Sequence, residues 1–145
     1  MRGLIQRVSS AAVTIDGQCH ASIGQGILLL LGIEAVDGFE QSEKLINKVL
    51  NYRIFADGQG RMNRSLKDIN GELLIVSQFT LVADTRKGLR PGFSKAAAPE
   101  AAENCYENFV SYLKTQYSAV ATGVFGADMQ ISLCNDGPVT FLLET

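Results

Sequence analysis

Ile27-Leu28-Leu29-Leu30-Leu31, preceded by Gly24 and Gly26, is an unbroken apolar run. It has the length of a strand, and consecutive strand side chains point to opposite faces, so its continuity requires that both faces be covered. Toward the N-terminus, Leu4 to Val8 and Val13 to Ile15 read as short strands, and Asp16-Gly17 is a two-residue hairpin turn leading to Cys19, Ala21 and Ile23 on alternating positions. Toward the C-terminus, Asp37 and Glu40 have the spacing of a capping box. Leu45, Ile46, Val49 and Leu50 then recur with helical period through about Tyr52. Arg53 to Ala56 reads as a strand and Asp57-Gly58-Gln59-Gly60 as a turn, whereas Arg61 to Ser65 has no clear period.

Leu73 to Val76 returns to a buried strand, and Ser77-Gln78-Phe79-Thr80-Leu81 reads as its continuation with polar side chains inserted. Ala83 to Lys95, with two glycines and a proline, is an extended loop. Pro99 suits the first turn of a second helix, whose face runs through Ala102, Cys105, Tyr106, Phe109, Val110, Leu113 and Tyr117. Three strands close the chain: Val120 to Val124, Met129 to Cys134 and Val139 to Leu143. The expectation is a single α+β domain over residues 1–145, a mainly antiparallel β-sheet with a barrel-like core and two covering helices.

Composition narrows the function classes. Of the 145 residues, 46% are apolar and 19% charged, the balance of an ordinary soluble globular domain with enough chain to bury a core. No apolar run approaches bilayer length, and the N-terminal segment carrying Arg2 and Arg7 lacks the apolar stretch of a signal peptide, so a cytoplasmic protein without a membrane partner is expected. Three cysteines at wide spacing and one histidine, His20 beside Cys19, provide neither a disulfide framework nor a zinc-ligand pattern. That histidine lies far in sequence from every polar strand, which argues against a Ser-His-Asp or Cys-His set. No glycine-rich phosphate loop opens a helix, so no metal or nucleotide cofactor is expected.

Small polar groups gather in two places: Ser77, Gln78 and Thr80, and Asn135-Asp136-Gly137-Pro138-Val139-Thr140. If the first segment stays extended, Gln78 and Thr80 share a face and line a pocket with Phe79 buried behind them, or they are satisfied by neighbouring backbone. In the second, proline interrupts what otherwise reads as adjoining strands. Gly137-Pro138 is therefore either a tight turn or a rigid corner that lets another molecule approach the backbone. The net charge of −2 conceals a local +3 between Asp84 and Lys95, from Arg86, Lys87, Arg90 and Lys95 against one acid, which is either a solvated loop or a surface that steers anions.

Taken together, Ser77-Gln78-Phe79-Thr80-Leu81, Ala83-Asp84-Thr85, Gly88 to Phe93, and Asn135 to Thr140 resemble the signature of the D-aminoacyl-tRNA deacylases. The likeness extends to Ile5-Gln6-Arg7-Val8, Tyr52-Arg53-Ile54-Phe55 and Ala127-Asp128-Met129-Gln130, with Arg61-Met62-Asn63 where the family more often has lysine first. The resemblance implies an esterase that frees D-amino acids, and glycine, from the 3′-terminal adenosine of mischarged tRNA. It implies a homodimer in which a Gly-cisPro dipeptide of one subunit enters the site of the other. Carried onto this chain, Ser77, Gln78, Phe79 and Thr80 form the catalytic wall, and Gly137, Pro138, Val139 and Thr140 the chiral filter. Arg86, Lys87, Arg90, Phe125 and Met129 would hold the tRNA end. The alternative is a module that binds the tRNA acceptor end without turnover.

Overall fold

The computed structural model describes residues 1–86 and 88–145. Strand β1 (Arg2–Ile15) turns at Asp16-Gly17 into β2 (Gln18–Ile23), and β3 (Gly26–Gly32) leads to helix α1 (Phe39–Asn51). A small hairpin of β4 (Phe55–Ala56) and β5 (Met62–Arg64), then the single turn α2 (Leu66–Ile69), precede β6 (Glu72–Ser77) and a 3₁₀ turn, Phe79–Val82. Helix α3 (Pro99–Gln116), β7 (Val120–Thr122) and β8 (Gln130–Glu144) complete the chain.

One mixed sheet runs β2-β1-β3-β6-β7, with β8 added to β1, and curls toward a barrel. β1 is its spine. Residues Arg2 to Val8 pair antiparallel with β3 and Ala11 to Ile15 with β2, while β8 follows the other edge from Arg2↔Glu144 to Thr14↔Gln130. The expected antiparallel character holds around β1, but β3–β6 and β6–β7 are parallel. Such pairings require crossovers, which α1 and α3 supply.

The Ile27–Leu31 run lies at the centre as its continuity requires. Ile27, Leu29 and Leu31 join the larger core beneath α1 and α3, with Leu45, Leu50, Phe109 and Leu113. Leu28 faces a second core made by Val8, Val13, Ile23, Leu74 and Val76. Ile5 belongs to the first core and Val8 to the second, as alternation demands, yet Ala11 and Val13 also belong to the second. The phase slips at the exposed Ser9-Ser10, within an irregular stretch of the β1–β8 register. That slip lets one strand line both cores, so the two expected N-terminal strands are one bent strand.

Three other local readings change. Besides the two expected helices there is α2, capped by Ser65 through a reciprocal pair with Asp68. Helix α1 is capped at Gly38, whose N–H donates to Gln41 Oε1 at 3.0 Å. The Asp37 carboxylate instead holds the Met1 ammonium and the Glu34 N–H. The last two expected strands are one continuous β8. No helix among the described residues is long and apolar enough to cross a membrane.

Because Leu29 is fully buried between the sheet and its helices, Leu29→Ala should lower the unfolding free energy by about 3 kcal/mol, read as an earlier denaturation midpoint with unchanged slope.

Candidate active site

Strand β6 ends at Ser77 because the chain turns there rather than running on. Gln78 donates its N–H to Leu31 O at 2.7 Å, and its own carbonyl accepts from Leu81 N at 3.2 Å to close the 3₁₀ turn. Gly32 makes this possible, since a Cβ there would stand 3.0 Å from Leu81 Cβ and 3.2 Å from Gln78 O. The extended reading of Ser77 to Leu81 is therefore corrected, and so is the burial of Phe79. Its ring is 63% exposed and packs at 5.1 Å on Phe93. The turn leaves the N–H groups of Phe79 and Thr80 without a backbone acceptor among the described residues, as the first donors of any helical turn are left.

Beside the turn is a largely apolar cleft of about 480 Å³. Ser77, Gln78 and Phe79 line it together with Phe125 and Met129, and with Ala97 and Pro99 at the approach to and start of α3. Met129 is seated against Gly123, where a Cβ would meet its sulfur at 2.7 Å. Thr80 does not line the cleft, and its Oγ1 accepts a hydrogen bond from Gln78 Nε2. A second hollow, about 410 Å³ between α1, α2 and α3, is rimmed by Glu43, Lys44 and Lys67 and contains none of the polar strand residues. Pocket shape with convergent polar groups thus favours the first.

The loop after the turn is closed by an antiparallel bridge between Asp84 and Gly92. Arg86 does not project freely from it, because its guanidinium is forked onto Asp84 and holds that carboxyl well below the usual carboxylate range. Arg90 is exposed, and Lys87 lies outside the described residues.

The Gly137-Pro138 dipeptide sits inside β8, not between two strands. Val8 pairs with Asn135 and Gln6 with Thr140, so a single β1 residue, Arg7, faces four residues of β8, Asp136 to Val139. The surplus leaves the sheet as a corner with a cis Gly137–Pro138 bond and a Gly137 φ of +133°. Asn135 ties the base of the corner: its Oδ1 accepts from Val139 N at 2.7 Å and its Nδ2 donates to Thr140 Oγ1 at 2.9 Å. Arg7 braces the side, donating from Nε to Asp136 O at 2.9 Å and from Nη1 to Ile54 O at 2.6 Å. Val139 packs toward the core, whereas Asp136, Gly137 and Pro138 are exposed.

Corner and cleft do not meet within one chain. Three strand spacings, from β8 through β1 and β3 to β6, are roughly 14 Å across the sheet. The register step from Arg7 to Gly3, the level of Ser77, adds roughly 13 Å along it. Sequence reasoning found both motifs but not their braces. Arg7 was legible as a cation within a strand and as part of the Ile5-Gln6-Arg7-Val8 likeness, and Asn135 as the first residue of the Asn135 to Thr140 motif, but neither as a brace.

A family described as D-Tyr-tRNA(Tyr) deacylase matches residues 4–144. The D-aminoacyl-tRNA deacylase of Pseudoalteromonas translucida is 59% identical over 143 residues, covering 99% of each chain. That of Cellvibrio japonicus is 56% identical over 144 residues with the same coverage. Among solved structures, the c-Myc DNA unwinding element binding protein superposes with a TM-score of 0.96 at 41% identity, covering 100% of this chain and 99% of its own. A probable eukaryotic D-amino acid tRNA deacylase shares the fold, with a TM-score of 0.84 at 17% identity over 99% of this chain and 98% of its own.

Since the Val139 amide depends on the Asn135 side chain for its acceptor, Asn135→Ala should speed hydrogen exchange at Val139 by about tenfold relative to neighbouring β8 amides, the worth of one such bond.

Proposed function

Because the chain belongs to the D-Tyr-tRNA(Tyr) deacylase family, hydrolases of the ester in D-aminoacyl-tRNA, we propose that it proofreads tRNA charging in the cytoplasm as a homodimer, each cleft completed by the Gly137-Pro138 corner of the other subunit. The observation that carries this reading is the separation of corner from cleft within the chain. Two elements that must meet at one aminoacyl group, yet stand three strands apart, can meet across a subunit interface.

In this reading the 3′-terminal adenosine enters between Phe125 and Met129, and the ester carbonyl lies against the N–H groups of Phe79 and Thr80. Ser77 and Gln78 form the adjoining wall. The two amides are held by the turn before substrate arrives, so they stabilise the developing oxyanion without reorganisation. An aminoacyl ester is far more labile than an amide, and positioning plus that stabilisation suffices without a strong base. The nucleophile is a water oriented partly by the adenosine 2′-hydroxyl, consistent with a Thr80 hydroxyl already engaged by Gln78.

Backbone carbonyls of the incoming corner accept from the substrate ammonium, which has donors and no lone pair. An L side chain would occupy the volume those carbonyls fill, so handedness is selected by exclusion. Glycine, with nothing to exclude, is hydrolysed too.

With matched D- and L-aminoacyl-tRNA, release of the D-amino acid and of glycine but not the L-amino acid is expected. Binding without release would identify an acceptor-end-binding module instead. Thr80→Ala should retain turnover within about tenfold, whereas complete loss with intact binding would make its hydroxyl the nucleophile. A Cβ at Gly137 would lie 2.8 Å from Arg7 Nη2 at a φ that L side chains rarely adopt. Gly137→Ala should therefore shift the corner and cost on the order of 100-fold in kcat/KM.

A further inference from the structure

Arg7 joins two elements at once, the corner through Asp136 O and the segment leading into the β4–β5 hairpin through Ile54 O. Whatever the corner approaches, the hairpin approaches with it. Arg53 just before the hairpin, Arg61 and Arg64 on it and Lys67 on α2 are all exposed, and none is ion-paired among the described residues, although Arg64 Nη2 donates to Asp68 O.

The two acids among them are engaged by neighbouring donors. Asp57 accepts from Gln59 N, Arg61 N and Asn63 Nδ2 at 2.8, 3.0 and 2.8 Å, and Asp68 accepts from Ser65 N and Oγ at 2.8 Å. The Asp68 carboxyl is held below its ordinary range chiefly by Ser65, with Arg64 and Arg53 adding to the effect. By contrast, the 84–95 loop spends Arg86 on Asp84.

We infer that this hairpin is a phosphate-contacting surface, and that it grips the acceptor arm of the tRNA whose 3′ end lies in the partner subunit's cleft. The inference rests on the proposed function, because the corner must enter that cleft to bring the hairpin there. Four exposed cations within fifteen residues complement a polyanion, and with no aromatic side chain between Ala56 and Asn70 they suit sequence-independent backbone contact rather than base stacking.

Two experiments test it. The first titrates uncharged tRNA against wild type and the Arg53→Gln/Arg61→Gln double variant over a salt series. The inference requires weaker binding by the variant and a log Kd against log salt slope shallower by about 2, roughly one unit per lost contact. An unchanged slope overturns it, whether or not the protein hydrolyses anything.

The second uses mixed dimers purified by two tags and assayed on D-tyrosyl-tRNA. With Gly137→Ala on one subunit and the double variant on the other, the one working corner belongs to the chain with the neutralised hairpin, and kcat/KM should fall. With all three substitutions on one subunit, the working corner and intact hairpin belong to the same chain, and the value per competent site should match wild type. The reverse pattern would place the hairpin at its own cleft and overturn the inference. Loss of all selectivity for D-esters by wild type would instead refute the functional reading.

Discussion

Everything about the site follows from the pairing of β8 along the whole of β1. Hydrogen bonds hold both ends of this ladder, Arg2 against Glu144 and Thr14 against Gln130, so the surplus residues of β8 cannot be absorbed by sliding. A one-residue slip would turn Leu143, buried in the main core, toward solvent. The excess must leave the sheet where register is locally broken, beside Arg7. The corner is thus a product of two well-determined strands of unequal length.

The same logic explains the cleft. Parallel pairing carries β6 only as far as Ser77 opposite Leu31, and Gly32 then leaves room for the chain to fold over the strand end. Strand geometry would have satisfied Phe79 and Thr80 with a neighbour, whereas a short turn leaves their donors without a backbone acceptor among the described residues. The exposed Phe79 ring shelters on Phe93, which links the turn to the basic loop through a contact that needs no charge.

Much of this was legible in the residues. Ile27 to Leu31 announced a strand covered on both sides, Asp16-Gly17 the β1–β2 hairpin, and Pro99 the start of α3, because each is a local signal with a local cause. Ser65 and Asp68 do have capping-box spacing, but the stretch before them has no clear period, and α2 was not expected from it. What could not be read depended on partners distant in sequence. The end of β6 is decided by a glycine in β3, the continuity of β8 by the register of β1, and the braces of the corner by Arg7 and Ile54. Asp37 looked like a helix cap and serves the Met1 ammonium, a partner 36 residues away. The basic loop showed its charge but not that Asp84 would take part of it.

The distance between corner and cleft also bears on how such a protein behaves on dilution. A site built within one chain is a property of folding alone and survives to any concentration at which the chain is folded. A site completed by a neighbour adds an association equilibrium, so under the proposed arrangement the fraction of competent sites obeys mass action. Specific activity per chain would then decline once protomers fall below their dissociation constant. Well below it, total activity would scale with the square of protein concentration. The geometry of three strand spacings thereby becomes a kinetic order.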